Sequence, residues 1–483
     1  MLDLVIRGGT VATACDVVRC DVGIREGRIA MLGEGLGEAA RTIDAEGKVV
    51  TPGGIDSHCH IEQLSASGIR NADTFETATR SAALGGTTTV IPFACQHKGM
   101  DLFDVVRDYH GLAERGAIID YALHLIVTEP TERLLSEQLP RLVSDGHGSI
   151  KLFMTYDAMR LHDEEVLDVL SAARGLGAMV CVHAENHGMI TWMVRRLLDR
   201  GYAAPKFHAV SHPRLGEAEA IQRLIAMAEL VDQPIMIFHV STAEGAATIR
   251  AARGRGVKVW GETCPQYLFL TVAELDRPDG AKWCCSPPPR TEADQDALWQ
   301  ALERGDLSTV TSDHAPFAYD ETGKLRAGPS PTFKEIPNGM PGLEARMPLM
   351  FDAIVSSGRM ALTDFVRITA TAPAEIYNLA DRKGSIAVGK DADVVVWDAG
   401  RRVTLSDDKV SDAAGYTAYA GRTVTGWPEV VVRRGEVIVE DGTLHAAPGS
   451  GRFLPRSGGR AAAPTGRLAP ELDPAKNFGA ELG

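Results

Sequence analysis

The feature that most constrains the fold is an alternation of short apolar segments with amphipathic helical segments along the middle of the chain. Eight of these segments have the length and character of buried strands, at residues 54–56, 87–93, 118–126, 149–154, 179–183, 235–240, 257–262 and 308–313. Helical periodicity separates several of them, as in residues 165–174 and 217–225. The pattern predicts an α/β fold and favours a (β/α)8 TIM-like barrel, although pattern alone leaves an open doubly wound sheet as the alternative.

The two ends of the chain carry short strand-like segments bounded by glycine turns, at residues 4–11, 21–29, 389–398 and 430–439. Neither end has enough strands to bury a core alone, so we expect both ends to form one discontinuous β-sandwich domain. The predicted division is 1–52 and 378–450 for the sandwich, 53–377 for the catalytic barrel, and 451–483 for a C-terminal arm or disordered tail. The tail is rich in Pro, Gly, Ala and Arg, which is typical of extended segments.

Charge and composition exclude some partners. The formal net charge of -14 argues against nucleic acid and anionic membrane surfaces, because both attract basic patches. The sequence has no apolar run long enough to span a bilayer and no basic, apolar leader at its start, so we expect a cytoplasmic protein. The eight cysteines include no Cys-x-x-Cys pair, which favours reduced core residues.

Polar residues stand at the carboxyl ends of several predicted strands, where a barrel enzyme carries its chemistry. His58 and His60 are two residues apart on one strand, so their side chains point the same way and can chelate a metal. Three further segments end near His183, His239 and Asp313. Any one of these residues could be a hydrogen-bonded core residue, but together they suit zinc, with manganese, iron or cobalt as alternative occupants.

Lys151 lies within another of these apolar segments. A charged ammonium would be costly to bury and would be repelled by a nearby metal cation. A neutral amine that captures carbon dioxide would instead become an anionic carbamate with two oxygen ligands. Lys151 is therefore predicted to bridge two metal ions.

These residues resemble the cyclic amidohydrolases of the amidohydrolase superfamily, and most closely the dihydropyrimidinase and hydantoinase group. The resemblance extends from the N-terminal strands to residues 389–396. It implies two Zn²⁺ per subunit, a CO2-derived carboxylation of Lys151 and a homo-oligomer, tetramer or dimer. The six implied metal ligands are His58, His60, Lys151, His183, His239 and Asp313.

The resemblance also implies substrate contacts and a reaction. Tyr156, five residues after Lys151, resembles the tyrosine that hydrogen-bonds the substrate carbonyl in the group. Ser286 and Asn338 resemble the two positions whose backbone groups hold the ring amide, although Asn338-Gly339 is also an ordinary turn signal. A metal-bridging hydroxide is expected to open a dihydropyrimidine or hydantoin ring to an N-carbamoyl amino acid, with Asp313 as general base and acid.

One segment departs from the group's pattern. Its members usually have an apolar Met-Pro-Phe segment after the second histidine, whereas this chain has Ile61, Glu62, Gln63, Leu64 and Ser65. The loop borders the expected position of the exocyclic group, so Glu62 or Gln63 facing the substrate would suit a less hydrophobic substituent. Exposure to solvent is the simpler explanation.

Other functions could use parts of the same residue pattern. A dihydroorotase should show an arginine at residues 61–65, where this chain has none, whereas an allantoinase or a cyclic imide hydrolase shares the metal site. A non-catalytic scaffold of the same fold is a different class, but here all six ligand positions are filled. His97, His187, His208 and His212 match no ligand position, so we expect them at the surface or in hydrogen bonds.

Overall fold

The computed structural model describes residues 1–66 and 68–482. Its strands are β1 (Leu2–Ala12), β2 (Val17–Arg25), β3 (Arg28–Gly33), β4 (Ala39–Asp44), β5 (Val49–Pro52), β6 (Gly54–Cys59), β7 (Thr87–Cys95), β8 (Asp120–Tyr121), β9 (His124–Ile126), β10 (Ser149–Phe153), β11 (Met179–His183), β12 (Ile235–Ile237), β13 (Val259–Thr263), β14 (Thr309–Val310), β15 (Val394–Thr404), β16 (Thr423–Arg433), β17 (Glu436–Glu440) and β18 (Thr443–Leu444).

The α-helices are α1 (Phe75–Leu84), α2 (Leu102–Gly116), α3 (Leu139–Ser144), α4 (Asp163–Leu176), α5 (His187–Leu198), α6 (Phe207–Ser211), α7 (Arg214–Val231), α8 (Ala243–Gly254), α9 (Pro265–Phe269), α10 (Glu292–Glu303), α11 (Leu343–Phe351), α12 (Leu362–Val366) and α13 (Ala372–Ile376). The periodic segments at 165–174 and 217–225 lie within α4 and α7. None of the helices described in residues 1–66 and 68–482 has the length and apolarity needed to cross a membrane.

The central sheet is parallel and its strands follow chain order. The order is β6-β7-β9-β10-β11-β12-β13-β14, with β8 also pairing β7. A doubly wound sheet reverses its order at a switch point, and this sheet does not. The predicted (β/α)8 barrel is therefore confirmed, and the open-sheet alternative is not supported.

The barrel closes between its first and last strands through contacts outside the regular ladders. Cys59 and His314 form an isolated parallel bridge. The buried carboxylate of Asp56 accepts hydrogen bonds from the backbone N–H of Ser312 at 3.2 and 3.3 Å. The fully buried Arg346 on α11 lies 3.2 Å from Asp56 and donates to the carbonyl of Val310. A buried ion pair thus joins the two edges of the sheet.

Three predicted strands are shorter in the structure than the sequence pattern suggested. β12 ends before His239 and β14 ends before Asp313, and both residues have positive φ, 39° and 47°, which extended strands do not adopt. The segment at 118–126 divides into β8 and β9 because Tyr121 pairs its backbone with Arg452 and Leu454 of the C-terminal segment.

The second sheet joins the two ends of the chain, as predicted. β5 from the N-terminal segment pairs antiparallel with β15 from the C-terminal segment, Val50 opposite Val396. The nine strands bury their own aliphatic core, and Trp397 on β15 stacks on Phe351 of the barrel with ring centroids 4.5 Å apart. The fold class is confirmed, while the exact domain limits stay a prediction.

The C-terminal segment runs along the amino-terminal end of the barrel. Arg456 is buried and donates to the carbonyl of Leu123 and to the hydroxyl of Ser149 at 2.9 and 2.6 Å. Further along, the carboxylate of Asp232 accepts hydrogen bonds from the backbone of residues 465–467. This part of the predicted arm contacts its own subunit, and contact with a neighbouring subunit stays a prediction.

Replacing Arg346 should destabilise the protein strongly. The variant Arg346→Met leaves the Asp56 carboxylate buried without its cation, which costs about 3–5 kcal/mol in comparable buried pairs. Urea unfolding of the variant and the wild type measures the difference. Arg107→Met, which removes exposed ion pairs on α2, serves as the control and should unfold like the wild type. A midpoint unchanged by Arg346→Met would contradict a role for this pair in closing the barrel.

Candidate active site

A single cavity of about 320 Å³ at the carboxyl ends of the barrel strands gathers the predicted site residues. Nine of its lining residues are predicted site residues, namely His58, His60, Lys151, Tyr156, His183, His239, Ser286, Asp313 and Asn338. They come from β6, β10 and β11 and from the loops after β6, β10, β12, β13 and β14. The structure thus brings together every residue that the sequence nominated.

His58, His60 and Asp313 converge on one point. The Nε2 atoms of His58 and His60 lie 3.1 and 3.4 Å from Oδ1 of Asp313. The ligand atoms of all three side chains lie within 4.8 Å of one another, so one metal ion can contact them all. Their arrangement follows from the strand period of two, together with the closure of the barrel beside Asp313.

His183 and His239 form a second group next to the first. Their ring centroids are 4.3 Å apart, and the ring of His239 is 5.4 Å from that of His58. Phe153 on β10 is paired in register with His183 on β11, which places Lys151 opposite Cys181, one pleat below.

Lys151 lies among aromatic rings without a polar partner. Its Nζ is 4.0 Å from the ring centroid of Phe238 and 4.8 Å from that of Phe153. In the part of the chain that the structure describes, this amine makes no hydrogen bond or close ion pair. Burial lowers the pKa of Lys151 to about 7, while the carboxylates of Glu262 and Asp313 act in the opposite direction. A substantial fraction of the amine is therefore neutral near pH 7, as carboxylation requires.

Three residues that the sequence analysis missed hold the histidines in place. Nδ1 of His58 contacts the buried carboxylate of Glu262, and Nδ1 of His60 lies 2.7 Å from Oε1 of Gln63. Glu185 lies 2.7 Å from Nε2 of His183. In each case the second ring nitrogen is left for a metal, as in most metal sites of this kind.

Glu185 also reaches His212, whose Nδ1 is 2.8 Å from its other oxygen. Burial acts to raise the pKa of Glu185, but His212 and His183 lower it overall to well below its usual range. Glu262 ends a predicted apolar strand, so its position was a visible signal. Glu185 and Gln63 lie in loops, where no sequence pattern indicated that they contact the histidines.

Burial also sets the charge of the histidines. It lowers the pKa of His60, His183 and His239, which favours the neutral imidazoles that metal binding requires. Burial acts in the same direction on His58, but Asp313 and Glu262 raise its pKa overall. Burial alone would raise the pKa of Asp313, yet the neighbouring histidines lower it, so its carboxylate stays ionised.

Tyr156 faces the other predicted substrate contacts. Burial raises the pKa of Tyr156, so the hydroxyl keeps its proton and can donate a hydrogen bond. Three predicted site residues, Tyr156, His239 and Asp313, have positive φ values of 72°, 39° and 47°. Such conformations cost about 1–3 kcal/mol each and are concentrated at functional sites.

A buried lysine fixes the segments that carry Ser286 and Asn338. Nζ of Lys324 donates to the carbonyl groups of Cys284, Pro337 and Gly339 at 2.8, 2.7 and 2.6 Å. Gly339 has φ 146°, and a Cβ there would lie 2.4 Å from the carbonyl oxygen of Ala315. Only glycine fits at position 339, and the Lys324 hydrogen bonds hold Asn338 and Gly339 in place.

The first two polar residues after His60 are partly or fully buried. Oε2 of Glu62 accepts a hydrogen bond from the backbone N–H of Phe75 at the start of α1, and Gln63 lines the cavity. The simpler expectation of solvent exposure was wrong for Gln63, which is 6% exposed.

The four histidines that were expected at the surface or in hydrogen bonds each form a hydrogen bond or an ion pair. Nε2 of His97 contacts the carbonyl of Leu64, and Nε2 of His208 contacts the carbonyl of Cys285. His187 pairs with Asp157 at 3.3 Å. His212, through Glu185, is nearer to the site than the sequence suggested.

Comparison with known proteins identifies the family. Residues 49–438 match the amidohydrolase family. The chain belongs to this family. A D-hydantoinase of Rhizobium radiobacter is 42% identical over 458 residues, which cover 94% of this chain and 99% of the relative. A D-hydantoinase of Streptomyces coelicolor is 41% identical over 462 residues, covering 94% and 98%. A solved dihydropyrimidinase from Brevibacillus agri has a TM-score of 0.92 at 38% identity, covering 95% of this chain and 99% of that one.

These relatives confirm the predicted dihydropyrimidinase and hydantoinase group and imply a metal-dependent enzyme. The residues present fit a metal on grounds of their own chemistry. Each of His58, His60 and His183 is anchored through one ring nitrogen, and the second nitrogens of His58 and His60 both face the carboxylate of Asp313. A buried carboxylate oxygen of Glu262 also lacks a hydrogen-bond partner among the residues that the structure describes.

Weakening the support of His183 should weaken metal binding. The variant Glu185→Gln keeps the shape of the side chain but removes the charge that orients His183, so metal affinity should fall by about 10- to 100-fold. Metal retained after dialysis against a series of chelator concentrations measures this. Glu219→Gln is the matched control, since Glu219 bonds Asn186 and Arg223 outside the cavity. Equal retention by both variants would contradict the positioning role of Glu185.

Proposed function

We propose that the protein hydrolyses a cyclic amide, a dihydropyrimidine or hydantoin ring, to an N-carbamoyl amino acid. The observation that carries the proposal is the convergence on one cavity of four histidines, an aspartate and a lysine without a polar partner. The similarity to hydantoinases and a dihydropyrimidinase over nearly the whole chain supports the same ring chemistry. A scaffold protein would have no need of a complete ligand set.

The ligands proposed for two Zn²⁺ ions are His58, His60, Lys151, His183, His239 and Asp313. Lys151 would act as its carbamate, formed when the neutral amine takes up CO2, and would join the two ions. Two such ions lower the pKa of a bound water toward neutrality and polarise a substrate carbonyl. Manganese, iron or cobalt could replace zinc with the same donors.

The chain's own residues position the ring and move the protons. The hydroxyl of Tyr156 donates a hydrogen bond to the carbonyl oxygen under attack and stabilises the negative charge that develops there. The backbone groups of Ser286 and Asn338 hold the ring amide in register with Tyr156. Lys324 keeps both segments in place through their carbonyl groups.

Asp313 is proposed to carry the proton. A water oxygen adds to the carbonyl carbon, and the bond from that carbon to the ring nitrogen breaks. The carboxylate of Asp313 accepts the proton of the attacking water and returns it to the leaving nitrogen, which is general base and then general acid catalysis. Its lowered pKa keeps the carboxylate ionised, which is the state that a proton acceptor must have.

A panel of rings tests the proposal. The enzyme, purified with zinc and bicarbonate, is assayed with dihydrouracil, dihydrothymine, hydantoin and a cyclic imide. We expect ring opening of at least one of the first three, and a loss in kcat of about 100- to 1000-fold in Tyr156→Phe, as for other oxyanion donors. The variant should retain wild-type metal content, because Tyr156 is not among the ligands. Hydrolysis of none of these rings by metal-loaded protein would contradict the proposal.

A further inference from the structure

The described residues between β6 and α1, 60–66 and 68–74, contribute part of the cavity wall. Leu64 and Arg70 form an antiparallel bridge within this segment. The backbone N–H of Asn71 donates to the carbonyl of Gln63 at 3.0 Å, so these two residues are neighbours across the bridge. Both side chains line the cavity.

The side chain of Asn71 is buried without a partner. It is 8% exposed, and its Oδ1 accepts no hydrogen bond. In residues 1–66 and 68–482 its amide nitrogen also makes none. An unsatisfied buried amide costs free energy, and native proteins rarely leave one without a role.

Gln63 adds a donor to the same wall. Its Oε1 is engaged by His60, which fixes the orientation of the amide and turns the NH2 group away from the histidine. Within the described part of the chain this NH2 group donates to no protein acceptor. The Oδ1 atom of Asn71 is sealed from solvent, so the wall offers the cavity two donors, the NH2 groups of Gln63 and Asn71.

We propose that Asn71, together with Gln63, binds a polar substituent on the substrate ring, one that accepts hydrogen bonds, such as the carbonyl oxygen of a carboxamide. The proposal rests on the proposed function, because it assumes a ring held by Tyr156, Ser286 and Asn338 in the same cavity. A substituent that projects away from those contacts meets the wall of Asn71. An aliphatic substituent would leave both amides desolvated and unpaired, so the site selects against it.

Two hydantoins of nearly equal size test this directly. 5-(Carbamoylmethyl)hydantoin and 5-isobutylhydantoin carry substituents of the same shape, one polar and one aliphatic. The wild-type enzyme should prefer the carboxamide by about tenfold or more in kcat/KM. In Asn71→Leu the ratio of the two kcat/KM values should fall by about 10- to 100-fold, because the aliphatic substituent now meets an aliphatic side chain.

The control is Gln300→Leu on the exposed face of α10, which should keep the wild-type ratio. Preference of the wild type for isobutyl, or a ratio unchanged by Asn71→Leu, would overturn the proposal while leaving the proposed function intact. The wild-type ratio decides even if the variant does not fold. If the metal-loaded enzyme opens none of four compounds, the two substituted hydantoins, unsubstituted hydantoin and dihydrouracil, the proposed function is overturned. This inference then falls with it.

Discussion

The buried carboxylate of Asp56 is the constraint on which the site depends. Asp56 lies two residues before His58. Its carboxylate accepts hydrogen bonds from the backbone N–H groups of His58 and Ser312 and forms an ion pair with Arg346. Because this carboxylate joins the first strand of the barrel to the segment after the last, His58 and His60 come to lie against Asp313. Local sequence places two histidines on one face, and barrel closure gives them their third ligand.

Burial does a second job, which is to set protonation. The imidazoles of His60, His183 and His239 are kept neutral, and the amine of Lys151 has its pKa lowered to about 7 among the rings of Phe153 and Phe238. The carboxylates of Glu262 and Glu185 and the amide of Gln63 then orient three of the imidazole rings by hydrogen bonds. The same desolvation that makes charged groups costly thus prepares neutral nitrogen ligands and an amine able to react with CO2.

Much of this was predictable, because period and position along a strand are local properties. The eight strands, the paired ends of the chain and the cavity-lining residues from His58 to Asn338 could all be named from sequence. Gln63 was named from sequence as a residue near the substrate, but its contact with His60 could not be predicted. The roles of Glu185, Asn71 and Lys324 could not be predicted either, since they depend on loops that fold against distant strands. The C-terminal segment was expected to be extended, but its docking through Arg456 depends on the carbonyl of Leu123 and the hydroxyl of Ser149 at the far end of the barrel.

We propose above all that Lys151 serves as a carbamate in this metal-dependent amidohydrolase. Carbon-13 NMR of the metal-loaded protein, equilibrated with ¹³C-labelled bicarbonate, measures this most directly. We predict a carbamate carbon resonance in the wild type that is absent from Lys151→Ala. That variant should also lose its bound metal. A fully active, metal-loaded wild type without a carbamate resonance, or the same resonance in Lys151→Ala, would contradict it.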